Sequence, residues 1–169
     1  MTSPGIALLI GMLGLINSNL NARGTNGPGS QKFVFSRIIY HSTHCNGTCP
    51  QIDLEIDSSG NVLLKREFWK AKGEVEDHGS GSFKGKIDPK TYFDLIATLI
   101  KSDYSKLKFP PEFCCDASVT TIIIYANGRR TRLSSMSPPA DAYSLISFLH
   151  DLATKIKIPP TADKINLEN

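Results

Sequence analysis

Ile52, Leu54 and Ile56 alternate strictly with Asp53, Glu55 and Asp57, and this pattern constrains the fold more tightly than any other feature of the chain. Successive strand side chains point to opposite faces. A period of two therefore fixes a half-buried strand whose carboxylates face water. Ser58-Ser59-Gly60-Asn61 supplies turn chemistry, and Val62–Trp69 returns as the hairpin partner. Lys65 and Arg66 are placed there to pair across the strands with the acidic face. Upstream, Phe33–Tyr40 is rich in aromatic and β-branched residues and reads as a strand.

Downstream, Gly73 to Gly85 is glycine-rich and weakly patterned. It is expected to be a loop followed by an edge strand at Ser82-Phe83-Lys84. Asp88-Pro89 offers a cap and a first-turn proline, so a helix is expected over 89–102, with Tyr92, Leu95, Ile96, Leu99 and Ile100 on one face. Val119–Tyr125, the turn Asn127-Gly128 and Arg129–Leu133 make a hairpin. The continuous run Ile122-Ile123-Ile124 leaves open which face points inward. Ser137-Pro138-Pro139 opens a second helix over 139–156, with Ala142, Leu145, Leu149, Leu152 and Ile156 as its stripe and Ile146 beside it. Two one-sided helices and a sheet with one polar face imply an α+β two-layer sandwich, an antiparallel sheet with two helices on one face. Ile52, Leu54, Ile56, Ile96, Leu99, Ile122, Ile124, Leu145 and Leu149 are its expected core.

The ends read differently. Ile6–Ile16 is an uncharged apolar run of roughly 11 residues, too short to span a bilayer comfortably and suited to a signal peptide. Residues 1–22 are accordingly read as a signal peptide, cleaved after Ala22, although no Lys or Arg precedes the run. The alternative is a buried N-terminal core helix. Residues 23–31 form a Gly-rich flexible linker, 32–157 a single domain, and 158–169 a polar, aperiodic tail expected to fray. The protein is thus expected to be exported, periplasmic or extracellular, with no membrane anchor once the leader is removed. A net charge of +3 points to neither nucleic acid nor a membrane surface.

The four cysteines fall in two close pairs, Cys45 with Cys49 and Cys114 with Cys115. In an oxidising compartment an even cysteine count usually means disulfides. A local bridge Cys45–Cys49 would close a short loop between two strands. A crossed pairing would enclose about 65 residues and stabilise by roughly 4 kcal/mol through loop entropy.

Cys45-Asn46-Gly47-Thr48-Cys49-Pro50, Ser59-Gly60-Asn61-Val62 in the next turn, an Asp116-led strand and a closing helix occur in an order that resembles one bacterial family. It is the domain-of-unknown-function family numbered 6438, found in exported or lipid-anchored proteins. The resemblance spans about residues 33 to 154. Asn46 stands where that family has an aromatic and Ile52 where it has tyrosine, and Cys114-Cys115 is not part of the signature. The resemblance implies a fold, export and the local Cys45–Cys49 bridge. It implies no activity. It also sets aside the glycosylation sequon Asn46-Gly47-Thr48.

Several chemistries can be weighed on these residues. Two thiolates with a histidine hold copper or zinc in other proteins, and His41 and His44 lie beside Cys45, so a metal site of Cys45, Cys49 and His41 or His44 is one alternative. A thioredoxin-like site is excluded, because Pro50 leads into a strand and not into the helix that lowers a thiol pKa. Gly79–Lys86 lacks P-loop spacing, with Ile87 where Ser or Thr is required, and reads as surface loop. Arg129, Arg130 and Arg132 read as a solvated strand face, and His78 and His150 lack ligand-spaced partners. Three functions remain: a disulfide-stabilised, non-catalytic module that binds an unidentified protein or small ligand and needs no cofactor; a copper, zinc or redox protein using Cys45 and Cys49; and an enzyme with a site near Asp116, His41 and His44. The sequence leaves oligomeric state open.

Overall fold

The computed structural model describes residues 33–111 and 117–169. Six strands, β1 (Phe35–Ser42), β2 (Gln51–Asp57), β3 (Asn61–Ala71), β4 (Glu74–Lys86), β5 (Thr120–Ala126) and β6 (Arg129–Ser135), form one antiparallel sheet in the order β4-β3-β2-β1-β5-β6. Helices α1 (Pro89–Lys101) and α2 (Tyr143–Lys155, entered through a 3-10 turn at Ala140–Ala142) cover one face. The architecture is the expected α+β sandwich.

Local chemistry explains the turns. Asp57 Oδ1 accepts from Ser59 N at 2.8 Å and Asn61 N at 2.9 Å, closing the β2–β3 turn over Gly60 at φ 75°. Asn127 and Gly128 adopt φ 52° and 71°, the positive angles a two-residue hairpin needs. Asp88 caps α1 by accepting from Thr91 N at 3.0 Å, with Pro89 in the first turn.

The core lies between the helices and one sheet face. Ile38, Tyr40, Ile52, Leu54, Ile56, Val62, Leu64, Ile122 and Ile124 meet Leu95, Leu99, Leu145, Leu149 and Ala153 there. Ile96 is only partly buried against this core, and Ile100 is 55% exposed.

Four expectations are corrected. Gly73–Gly85 is not loop: β4 is a long strand paired to β3 from Asn61↔Lys86 to Arg66↔Gly81 and, after a register shift, again from Phe68↔Glu76 to Ala71↔Glu74. Its glycines sit where other groups press on the strand. A Cβ on Gly85 would lie 2.8 Å from Ile158 Cγ2, and one on Gly79 would lie 3.2 Å from the Phe68 ring. The residues 158–169 are no loose tail. Pro160 bridges Phe83, Thr161 N donates to Ser82 O at 2.9 Å, and Glu168 is bound on the sheet, so the compact unit is Phe33–Asn169. The β1 strand is shifted towards Ser42, because His41 and Ser42 continue its ladders to Thr121 and Thr120.

Arg66 is the fourth. It shares the inward face with Val62 and Leu64 and is 8% exposed, so it cannot pair with the carboxylates of the opposite face. Its Nε donates to Gly79 O at 2.8 Å and its Nη1 to Ala153 O at 2.6 Å, with a longer 3.4 Å bond to Ile156 O at the end of α2. The guanidinium lies 4.7 Å from the Phe83 ring centroid and 5.5 Å from that of Phe68. Carbonyls at a helix C-terminus carry partial negative charge, so this cation is satisfied without a carboxylate. Arg66→Ala is expected to cost about 3 kcal/mol in urea denaturation. Arg66→Lys should recover only part of that loss, since an ammonium cannot reproduce the planar fork.

Candidate functional site

The sheet ends in a projecting ribbon. Pairing between β2 and β3 stops at Gln51↔Glu67, so Phe68, Trp69 and Ala71 pair only with Glu76, Val75 and Glu74. The β1–β2 connection folds against this ribbon. Cys45 and Cys49 are joined in a disulfide across four residues. Gly47 N donates to Cys45 O at 2.8 Å and Cys49 N to Cys45 Sγ at 3.3 Å, tightening the loop. The His44 ring stacks on Trp69 with centroids 4.3 Å apart and tilts toward the Cys49 carbonyl, which lies 3.4 Å from Nδ1. Trp69 Nε1 is buried and finds no acceptor among the described residues.

The two candidate histidines therefore part company. His44 belongs to the disulfide loop. His41 lies on β1, on the sheet face opposite the helices, 8% exposed. With the sulfurs bonded to each other, they are not paired thiolates. Among the described residues no group of three or more His, Cys, Asp or Glu side chains is arranged to hold a metal ion. Cys114, Cys115 and Asp116 lie outside the described residues. Ser118 and Val119, which follow them, hydrogen-bond to Thr43, two residues before Cys45.

His41 is held from both sides. Nδ1 lies 2.7 Å from Asp53 Oδ1 and Nε2 lies 2.7 Å from the Glu168 carbonyl. Both partners are acceptors, so both bonds exist together only on the imidazolium. Burial pulls this imidazole's pKa down, but the bonds to Asp53 and Glu168 outweigh it and hold the pKa above the ordinary 6.5. Arg132 opposes weakly. The folded state binds this proton more tightly than the unfolded chain does. Its stabilisation is therefore complete below the unfolded value and is lost as pH rises through the folded one. Stability to urea is expected to fall as pH rises above the ordinary imidazole value of 6.5, and that fall should be absent in His41→Gln.

One further cluster escaped the sequence reading. Arg37, Tyr125 and Arg130 stand opposite one another across β1, β5 and β6 and surround the Glu168 carboxylate. Arg37 Nη2 donates to Oε2 at 2.9 Å, Tyr125 OH to Oε2 at 2.6 Å and Arg130 Nε to Oε1 at 2.7 Å. Hydrogen bonds from Tyr125 and Arg130, and both arginine charges, hold this carboxyl below its usual pKa. Residue parity places Arg37 and Tyr125 on the polar face. Nothing in the sequence around Glu168 announces its role. A concavity of about 630 Å³ at the ends of the helices is lined by Lys101, Asp103, Lys106 and Asp141 among others, away from the disulfide loop and both candidate histidines.

Residues 36–153 match the model of a family described as Domain of unknown function (DUF6438), and the chain belongs to that family. No curated protein matches it. No helix among the described residues is long and apolar enough to cross a membrane.

A local bridge adds little to global stability. Replacing both cysteines, Cys45→Ser with Cys49→Ser, is expected to cost about 2 kcal/mol or less. Far-UV circular dichroism should be unchanged and the urea midpoint lowered.

Proposed function

We propose that the protein is an exported, non-catalytic binding module whose disulfide-clipped end contacts a partner protein. The observation that carries this reading is the β3–β4 ribbon, which runs past the body of the sheet and is braced by the Cys45–Cys49 loop through the His44–Trp69 stack. Residues 70–75 at its tip are exposed and contribute nothing to the core. A protrusion kept rigid in this way suits recognition, since preorganisation lowers the entropy lost on binding. His41, the most buried histidine of the candidate set, has both ring nitrogens engaged within the fold and no free nitrogen to serve as a base.

The test combines oxidation state, metal content and contact. Protein taken from its native host is alkylated without reductant, weighed intact and assayed for metal. A photo-crosslinking residue is placed at Lys72 on the ribbon or at Lys90 on α1. Protected Cys45 and Cys49, no metal, and a discrete adduct from position 72 but not from 90 are expected. Reactive thiols with stoichiometric copper or zinc, lost in Cys45→Ser, would replace this reading with a metal site. Protein retained in the cytoplasm with its leader intact would remove the export part.

A further inference from the structure

The face of the sheet opposite the helices is built like a receptor for a peptide, and the chain itself occupies it. Three rows of side chains cross it. In the first, Arg37, Tyr125 and Arg130 converge on one carboxylate. The Arg37 guanidinium also lies 4.4 Å from the Tyr125 ring centroid and within 3.4 Å of Glu55, which fixes its direction. In the second, Ile39 and Ile123 stand opposite each other. Their neighbours Ile38, Tyr40, Ile122 and Ile124 face the helices, so these two face away from them, yet both are 0% exposed. In the third, His41 is oriented by Asp53 and meets a backbone carbonyl.

Glu168 touches the first row through its carboxylate and the third through its carbonyl, so it lies across the apolar row between them. A clamp for a carboxylate, an apolar floor and a donor for the adjacent backbone carbonyl together read one extended residue, a glutamate in a peptide. The hold on that residue is local. Among the described residues, every hydrogen bond and ion pair of 164–169 is made by Glu168. The nearest anchors upstream are Asp163, bonded to the exposed Lys84, and Thr161 on the edge of β4. Both arginines remain partly solvent-exposed, at 38% and 41% for their side chains, so the clamp can release its carboxylate without stranding a buried charge.

We propose that this face is a binding site for a glutamate-bearing extended peptide of a partner protein, and that the segment around Glu168 is its displaceable internal occupant. In the resting molecule the segment competes with the partner. Removing the Glu168 carboxylate opens the site. This surface lies on the body of the sheet, away from the ribbon tip, and the two binding assignments stand or fall separately.

The test uses the full chain and a blocked synthetic peptide with the sequence of residues 161–169, titrated by calorimetry into the unaltered protein and into Glu168→Ala. The variant is expected to bind the peptide at least tenfold more tightly than the unaltered protein. A peptide with Gln in place of its glutamate should lose that binding, as should the variant carrying Arg130→Ala in addition. Binding should weaken with added salt, as expected for partly exposed arginines. Thermal melts monitor folding, and Glu168→Gln replaces Glu168→Ala if the latter unfolds. Equal affinity for the unaltered protein and the variant, no binding to either, or indifference to the peptide's glutamate would overturn the proposal. Dimers of the unaltered chain formed by exchange of this segment, with no binding of free peptide, would overturn it in favour of self-association.

Discussion

A buried guanidinium sets the geometry of half this molecule. Arg66 stands where the alternation of β3 calls for an apolar residue; desolvation lowers its pKa, and a guanidinium keeps its charge nonetheless. The charge must find partners, and the partners are carbonyls of Gly79 on β4 and of Ala153 and Ile156 at the end of α2. One side chain thereby fixes the distance between two strands and a helix end. Ile158, just beyond that helix end, is carried onto Gly85, and the chain continues to bridge Phe83. The path of the chain after α2 thus starts beside the carbonyls that satisfy Arg66.

That path makes the second sheet face unlike an ordinary wet face. An antiparallel sheet usually buries one side and solvates the other. Here Ile39 and Ile123 are as fully buried as the residues beneath the helices, so the middle of the outer face has its own small apolar centre. Charged groups ring it: Arg37 and Glu55 on one side, Arg130 on another, His41 with Asp53 at the end. The continuous run Ile122-Ile123-Ile124 is explained by this arrangement. Its central residue serves one layer and its neighbours the other.

The sequence made legible whatever rests on local chemistry. Strict alternation placed β2, Asp88-Pro89 began α1 within a residue, and Asn127-Gly128 located a hairpin that the structure closes with two positive φ angles. Burial of Arg66 was also encoded, since it lies in step with Val62 and Leu64; a charged side chain simply outweighed its parity. Strand β4 was hidden for a different reason. Glycine in a strand ordinarily signals weakness, whereas here it makes room for Phe68 and Ile158, residues distant in sequence or position. Docking of the last segment was invisible because a polar, aperiodic stretch has no internal pattern. Its contacts are with groups far off in the chain: Tyr125 and Arg130 lie some forty residues away, and Arg37 and His41 more than a hundred. Of the residues weighed as site candidates, Cys45, Cys49 and His44 do share one end of the sheet, while His41, adjacent in sequence, was carried to another surface by the strand that begins the fold.

The shortness of the Cys45–Cys49 bridge separates two events that are often bound together. A cross-link between distant parts of a chain depends on the fold to bring its sulfurs together, and errors in pairing then trap errors in structure. Here the two sulfurs are brought together by a tight loop of their own. The strands and helices can assemble around reduced thiols, and oxidation can follow as a late step at one edge. A reductant acting on that edge would slacken the brace behind Trp69 and leave the layers beneath it in place.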